Sequence, residues 1–392
     1  MLTLEAKKIR RGFALEGGGA RGSYHMGVCK AYIEAGYEFH GVVGTSIGAI
    51  NAVMLASGQL NKALELWETI GIEHIFDQEL LDALKLDSNF PGNITTALKK
   101  LIVDRGVDHS RIKAFLAAYI DEKKVRTSGI DFGLVTFSLS ERKSYEVFLK
   151  DIPEGKLIDY ILASAKLPIF TPFHVDDNRF IDGGVINNCP INMLIDQNYD
   201  EIIAIRTKGF GVFRRYDKNA NVTIIEPNEN LGGHFLDFNT NHAKLNIKRG
   251  YCDGLRVLHG LTGNYYYLKD VDLKRVVQKL FNISESNLEG LSYFKREPYE
   301  KKRVLFERGI PDVANYLDVC KNFTYEQFAL AILEFVALRK GVQRFEVYPF
   351  ETFSKLVKET PTPKSEKFLS KVGIDFSEKK LILIEEIVKF II

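Results

Sequence analysis

The stretch GVVGTSIGAINA, residues 41–52, carries the pattern Gly-x-Ser-x-Gly between an apolar strand and a helix of small residues. Val42 and Val43 supply the strand, and AINAVMLA supplies the helix. In this strand–turn–helix setting the pattern holds a serine hydroxyl on a sharp turn, where it can reach a carbonyl carbon. The sequence therefore predicts a nucleophile elbow with Ser46 at its tip. The elbow comprises Gly44, Thr45, Ser46, Ile47 and Gly48.

A serine hydroxyl on such a turn needs a neighbouring base to take its proton. In the α/β-hydrolase order, that base is a histidine that follows both the serine and an acidic residue. The chain has 8 histidines, and those after Ser46 lie mostly in helical or loop-rich surroundings with no motif around them. His234, in NLGGHFLDF, is the best histidine candidate. The sequence does not favour a histidine base.

A carboxylate is the stronger candidate for the base, in the stretch FIDGGVINNCP, residues 180–190. Asp182 follows a short apolar strand and precedes Gly183 and Gly184, so we expect it at the carboxyl edge of the sheet, where ligand sites gather. A carboxylate in a partly desolvated cleft has a raised pKa and becomes a usable base. The alternative is that Asp-Gly here is only a turn signal.

The stretch LEGGGARGSYHMG, residues 15–27, satisfies Gly-x-Gly-x-x-Gly at Gly17, Gly19 and Gly22, which matches a dinucleotide-binding fingerprint. A dinucleotide-binding site needs an acidic residue near the end of the next strand. Here the nearest acid, Glu38, precedes that strand. The same glycines at a helix N-terminus would present backbone N–H groups to an oxyanion. We interpret the turn as an oxyanion hole, with close helix–sheet packing as the structural alternative. It comprises Gly17, Gly18, Gly19, Ala20, Arg21 and Gly22.

The order of apolar patterns predicts the fold class. Strand and helix patterns alternate through residues 12–207, which predicts an α/β three-layer core with a mainly parallel sheet. Residues 208–264 are a loop-rich and helical extension, and residues 265–392 carry helical patterns without strand alternation. In that helical C-terminal domain, Thr324 and Gln327 predict a capping box, and SEKKLILIEEIVKFII closes the chain as an amphipathic helix.

Composition excludes some partners. With 392 residues and a formal net charge of +2, the chain has no bulk attraction for nucleic acid. One local basic stretch, RTKGFGVFRR at residues 206–215, interleaves Phe210 and Phe213 with Arg206, Lys208, Arg214 and Arg215. It is either a solvated loop or a contact for anionic lipid headgroups.

Cysteine usage and hydropathy indicate the compartment. Cys29, Cys189, Cys252 and Cys320 are scattered, without a Cys-x-x-Cys pair or a histidine at metal-ligand spacing, so we expect free thiols and no metal. No stretch approaches the roughly 18 apolar residues of a membrane-spanning helix, and the N-terminus lacks the apolar core of a secretory signal. We expect a cytoplasmic protein that contacts a membrane only at its surface.

GGGARG, GTSIG and DGG, in this order, resemble the three signatures of the patatin-like phospholipases. ASAKLPIFTP is similar to the Ala-Ser-rich helix and proline loop before the last signature of that family. The resemblance covers roughly residues 12–207. It implies a Ser–Asp dyad without histidine, with Ser46 as the nucleophile and Asp182 as the proton acceptor.

The resemblance also implies the rest of the site. The backbone amides of Gly18, Gly19 and their neighbours would form the oxyanion hole, with Arg21 alongside. The dyad mechanism of the family uses no metal and no cofactor. Lys166 stands where many relatives have a small residue, which bears on substrate preference.

These features together predict hydrolysis of a carboxylic ester in a lipid, such as a phospholipid or lysophospholipid. We expect the apolar stretches within residues 59–125, LLDALKL and IKAFLAAYI, to line the path of the acyl chain. Two other interpretations remain open: a catalytically silent lipid-binding or scaffolding protein, and a dinucleotide-binding oxidoreductase.

Overall fold

The computed structural model describes residues 9–71, 110–165, 173–175, 178–232, 237–289, 291–295, 298–362 and 378–392. The chain divides into two compact units, Met1–Leu258 and His259–Ile392.

The first unit is built on a mostly parallel sheet, which confirms the predicted α/β class. The strands are β1 (Arg11–Leu15), β2 (Gly41–Thr45), β3 (Asp131–Ser138), β4 (Lys143–Phe148), β5 (Phe173–Val175), β6 (Asn178–Asp182), β7 (Glu201–Ile205) and β8 (Val222–Ile225). β1 pairs in parallel with β2 and β7, β2 pairs in parallel with β3, and β7 pairs in parallel with β8. β4 and β6 each pair antiparallel with β3, and β5 pairs antiparallel with β6.

The two faces of the sheet pack into separate apolar cores, because successive strand residues point to opposite faces. In β1, Phe13 and Leu15 belong to one core and Ala14 to the other. Helices cover both faces, as the three-layer prediction requires. The helices of this unit are α1 (Ser23–Glu34), α2 (Ile47–Ala56), α3 (Leu60–Thr69), α4 (Ser110–Tyr119), α5 (Glu122–Thr127), α6 (Leu157–Ser164), α7 (Ile191–Asp196) and α8 (Thr240–His259).

The long strand β3 brings the ends of two other strands together. β4 runs along one edge of β3 from Gly133 to Ser138, so β2 and β6 must share the opposite edge. β2 occupies the part up to Val135, and β6 occupies the part that starts at Thr136. Since β2 runs parallel to β3 and β6 runs antiparallel, the carboxyl ends of β2 and β6 meet end to end.

Helix α8 packs closely on α1 through glycines on both helices. A Cβ at Gly27 would lie 2.0 Å from the Ile247 carbonyl oxygen, and a Cβ at Gly250 would lie 2.2 Å from the Tyr24 carbonyl oxygen. The Tyr24 hydroxyl also donates to Asp253 at 2.7 Å. This contact anchors α1, the helix that follows the glycine-rich turn.

The second unit is mostly helical and has its own apolar core. The capping box of Thr324 and Gln327 is present at the start of α13. Two strands, β9 (Tyr267–Lys269) and β10 (Val347–Pro349), pair in parallel. Sequence patterns did not predict this pair, since three residues are too few for a visible alternation. The helices are α9 (Leu273–Phe281), α10 (Glu285–Leu288), α11 (Lys301–Val304), α12 (Ile310–Tyr316), α13 (Tyr325–Lys340), α14 (Phe350–Glu359) and α15 (Glu378–Ile391).

Candidate active site

Ser46 occupies the turn between β2 and α2 with a positive φ. Its φ of 57° and ψ of −127° are rare for a non-glycine residue and cost roughly 1–3 kcal/mol. A Cβ at Gly44 would lie 2.2 Å from the Gly48 carbonyl oxygen, and a Cβ at Gly48 would lie 2.3 Å from the Leu15 carbonyl oxygen. The Ser46 N–H donates to Ser164 Oγ at 3.0 Å. Glycines on either side and the Ser164 hydroxyl thus hold the strained turn closed.

Asp182 lies beside the Ser46 turn because of the pairing along β3. Thr45 pairs with Val135, and Asp182 pairs with the next residue, Thr136. Consecutive positions along a strand are about 3.3 Å apart, so the residues at the meeting ends of β2 and β6 are within side-chain reach. The register therefore brings the Ser46 hydroxyl and the Asp182 carboxylate next to one another, and both residues are buried.

The two glycines after Asp182 form a tight turn with it, which we call the base turn, residues 182–184. A Cβ at Gly183 would lie 2.3 Å from the Val135 carbonyl oxygen, so only glycine fits there. A Cβ at Gly184 would lie 2.7 Å from Asn188 Oδ1. The Gly184 N–H donates to Asp182 Oδ1 at 2.8 Å, which fixes the orientation of the carboxylate.

Burial is the main influence on the charge of Asp182. The side chain is 4% exposed, and its desolvation raises the pKa from 3.8 to about 6. The Ser46 hydroxyl and the Gly184 N–H partly offset this rise in pKa. Oδ2 has no partner of full hydrogen-bond geometry among the described residues, so the Ser46 contact is looser than the Gly184 contact. Catalytic hydrogen bonds are often long until a substrate binds.

No histidine of the described part of the chain hydrogen-bonds to Ser46 or Asp182. His25 is fully buried in α1, and burial lowers its pKa to about 3, so its imidazole is neutral. Its Nδ1 lies 3.2 Å from Asn51 Nδ2. His234, the best histidine candidate of the sequence, lies outside the described residues, as does Lys166.

The glycine loop, residues 17–22, packs directly against the Ser46 turn. A Cβ at Gly17 would lie 3.2 Å from Ser46 Cβ. Gly19 has a φ of 58°, which turns the chain into the short 3₁₀ segment Gly19–Gly22 ahead of α1. Within the described residues, the N–H groups of Gly18 and Gly19 donate to no protein acceptor. They are two unpaired donors in the loop whose first residue, Gly17, contacts Ser46.

The far end of the glycine loop is tied to α2 and α3. Asn51 Nδ2 donates to the Gly22 carbonyl at 2.8 Å, and Trp67 Nε1 donates to Asn51 Oδ1 at 2.9 Å. Ala20 is buried, and the Arg21 Nη1 donates to the Lys208 carbonyl at 3.3 Å. Arg21 therefore connects the loop to the segment after β7.

Glu16 anchors the near end of the glycine loop and was not predicted from the sequence. It is 1% exposed, and burial raises its pKa, while its ion pair with Arg206 at 3.2 Å works in the opposite direction. Its Oε2 accepts from the Thr207 N–H at 2.7 Å. The Thr207 hydroxyl in turn donates to the Gly17 carbonyl at 3.1 Å.

Ser164 and Asn188 are two further site residues that the sequence analysis did not single out. Ser164 lies within ASAKLPIFTP and Asn188 within FIDGGVINNCP, stretches that were quoted for other reasons. Their motifs were a visible signal, but their partners, Ser46 and Gly17, follow only from the fold.

The described residues contain no cluster of three or more His, Cys, Asp or Glu side chains that could hold a metal ion. Across those same ranges, no helix is both long and apolar enough to cross a bilayer. β2 ends at Thr45 and continues into Ser46, so no acidic side chain stands at the end of β2 where a dinucleotide site would need one.

Residues 13–195 match the family described as patatin-like phospholipase. An uncharacterized NTE family protein of Mycobacterium tuberculosis is 28% identical over 215 residues, which are 55% of this chain and 53% of that protein. Lysophospholipase NTE1 of Mycosarcoma maydis is 27% identical over 195 residues, which are 50% of this chain and 9% of that protein. The match thus spans about half the length of the mycobacterial relative.

Among solved structures, VipD from Legionella pneumophila aligns with a TM-score of 0.42 and 15% sequence identity. The alignment covers 98% of this chain and 92% of that one.

Proposed function

Residues 13–195 belong to the patatin-like phospholipase family, and from this premise we propose that the chain is a lipid acyl hydrolase of the phospholipase A, lysophospholipase or esterase type. It cleaves carboxylic esters through a dyad of Ser46 and Asp182. The observation that carries the proposal is the end-to-end meeting of β2 and β6 on one edge of β3. It supports a serine and a buried carboxylate acting on one another without an imidazole.

In the first half of the reaction, Ser46 Oγ attacks the ester carbonyl carbon and Asp182 accepts the hydroxyl proton. A carboxylate whose pKa is about 6 can both take a proton from the serine and return it to the leaving alcohol near neutral pH. The alcohol leaves with that proton, and the acyl group remains on Ser46. In the second half, Asp182 takes a proton from a water molecule whose oxygen attacks the acyl carbon. The bond from that carbon to Ser46 Oγ breaks, Asp182 returns the proton to Ser46 Oγ, and the fatty acid leaves.

The negative charge on the carbonyl oxygen is held by the glycine loop. Gly18 and Gly19 each have a backbone N–H without an acceptor among the described residues, and they follow Gly17, which contacts Ser46. Each such donor typically lowers the barrier by roughly 2.7–4 kcal/mol. The positive end of the α1 dipole adds to the same stabilisation. The substrate is a lipid ester, and contact with a membrane or lipid aggregate is transient.

Residues 59–125 supply apolar walls for the acyl chain in this proposal. The described helices of that segment are α3, α4 and the start of α5, and the stretch LLDALKL lies outside the described residues. Phe115 and Leu116 of α4 join the core of the first unit.

An ester assay tests the proposal against a catalytically silent lipid-binding protein. Wild type, Ser46→Ala and Asp182→Asn are compared on p-nitrophenyl esters of increasing acyl length. We expect turnover by wild type and a fall of at least about 1,000-fold in either variant, since the two groups act as a unit. Saturable lipid binding without turnover by wild type would favour the silent alternative.

A further inference from the structure

Residues 207–212, TKGFGV, leave β7 and pass directly beside the site; we call them the strap. At its N-terminal end the strap is hydrogen-bonded to the glycine loop and to Glu16. The Thr207 hydroxyl donates to the Gly17 carbonyl at 3.1 Å, and the Gly209 N–H donates to Glu16 at 3.4 Å. The approach is so close that a Cβ at Gly209 would lie 2.1 Å from the Gly17 carbonyl oxygen.

At its other end the strap is fixed to the base turn. The Val212 N–H donates to the Gly184 carbonyl at 2.8 Å, and the Asn188 N–H donates to the Val212 carbonyl at 2.8 Å. Gly211 has a φ of 146°, and a Cβ there would lie 2.6 Å from the Gly184 carbonyl oxygen. The one residue between the two glycines, Phe210, therefore sits between the glycine loop and the base turn.

Phe210 is the most exposed large apolar side chain of the described residues, at 85%, and Val212 is 49% exposed. The fixed backbone on both sides prevents Phe210 from folding into the core with Phe213, its neighbour. Covering a phenylalanine that is held in water on a rigid strap with an apolar phase is favourable, because it removes apolar surface from water.

The polar surroundings of Phe210 are basic. Its neighbours along the chain Lys208, Arg214 and Arg215 are exposed, and no acidic side chain lies within ion-pair distance of Arg215 among the described residues. The other two cations each have a carboxylate neighbour. Lys208 Nζ lies 3.8 Å from Glu226 Oε1, and Arg214 Nη1 lies 3.1 Å from Glu146 Oε1. An exposed apolar side chain in a stretch of exposed cations matches the boundary between acyl chains and anionic headgroups.

We propose that the strap docks the enzyme on an anionic phospholipid surface, with Phe210 inserted among the acyl chains and Lys208, Arg214 and Arg215 on the headgroups. The strap is hydrogen-bonded to both the glycine loop and the base turn. Docking of the strap therefore makes the site face the lipid surface that holds the substrate. The choice of a lipid surface as partner rests on the proposed function, whereas the docking itself needs no turnover.

Binding is measured in the Ser46→Ala background, so hydrolysis does not alter the vesicles. Vesicles of equal parts phosphatidylcholine and phosphatidylglycerol are compared with vesicles of phosphatidylcholine alone. We expect Phe210→Ala to weaken binding to the anionic vesicles about tenfold or more. Leu245→Ala, at a 40% exposed residue of α8, is the control and should bind as the parent does. Equal binding by the Phe210→Ala and parent proteins would overturn the proposal.

A second variant reports insertion directly. Phe210→Trp should show a blue shift of emission with anionic vesicles, taken as the difference from the parent protein, which has only Trp67. An unchanged emission would overturn the proposal. A full shift with short-chain phosphatidylglycerol below its micelle concentration would assign Phe210 to single lipid molecules and overturn docking on a surface. If wild type hydrolyses no ester but Phe210 still controls vesicle binding, the proposed function fails and the docking surface stands.

Discussion

Gly17 and Asn188 are joined by a reciprocal pair of hydrogen bonds. The Gly17 N–H donates to the Asn188 carbonyl at 2.9 Å, and Asn188 Nδ2 donates back to the Gly17 carbonyl at 3.2 Å. Asn188 Oδ1 also faces Gly184 of the base turn. One side chain thus sets the spacing between the proposed oxyanion donors and the proposed base.

We therefore expect Asn188→Ala to lower kcat by about 10–100-fold with little change in KM, because the lost bond displaces donors that act in the transition state. Steady-state kinetics on a soluble ester measures this split. Asn192→Ala is the matched control, since among the described residues Asn192 Nδ2 donates only to the Arg215 carbonyl on the surface. Loss of activity in proportion to loss of folded protein would contradict a positioning role.

The raised pKa of Asp182 predicts an acidic limb in the pH profile. The base must be ionised to accept the Ser46 proton, and burial raises its pKa to about 6. kcat/KM should therefore rise tenfold per pH unit below about 6 and level off above it. Stopped-assay rates on a soluble ester across this range measure the limb. A plateau that extends unchanged to about pH 4.5 would contradict Asp182 as the base.

The same burial predicts that Asp182 destabilises the folded state at neutral pH. The folded pKa of about 6 exceeds the ordinary value of 3.8, so the folded state binds the proton more tightly. The contribution of Asp182 to the free energy of unfolding is therefore fully present below about pH 3.8. It is lost as the pH rises through about 6, by about 3 kcal/mol in total.

Asp182→Asn keeps an oxygen for the Gly184 N–H and carries no charge, so it should raise Tm at about pH 7.5. The difference from wild type should vanish near pH 4. Calorimetry at the two pH values measures it. A variant less stable than wild type at about pH 7.5 would mean that Oδ2 has a stabilising partner in the folded state.

Ser164 supplies the acceptor for the Ser46 N–H, at 3.0 Å. Ser164→Ala leaves a buried donor unpaired beneath a strained residue, which costs about 1–3 kcal/mol. We expect a lower Tm together with a fall in kcat, because the Ser46 turn relaxes. Ser57→Ala, in which the lost hydroxyl bonds only the Met54 carbonyl, should change neither quantity. Full activity of Ser164→Ala would show that the turn holds its geometry without this bond.

The sequence predicted those features that depend on local chemistry. Gly44 and Gly48 frame a turn that needs glycine on both sides, and the Thr324 capping box is read within four residues. The end-to-end meeting of β2 and β6 could not be predicted from the sequence. It follows from the pairing of both strands with β3, which is longer than either of them. The role of Glu16 could not be predicted for the same reason. Its partners Arg206 and Thr207 are brought to it by the parallel pairing of β1 and β7.

Labelling with a fluorophosphonate tests most directly whether Asp182 activates Ser46. Peptide mapping of the labelled wild type should place the probe on Ser46. Ser46→Ala should take up no probe, Ser57→Ala should label as wild type does, and Asp182→Asn should label at least about 100-fold more slowly. Labelling of Ser46→Ala at the wild-type rate would contradict Ser46 as the nucleophile. Labelling of Asp182→Asn without delay would contradict Asp182 as its base.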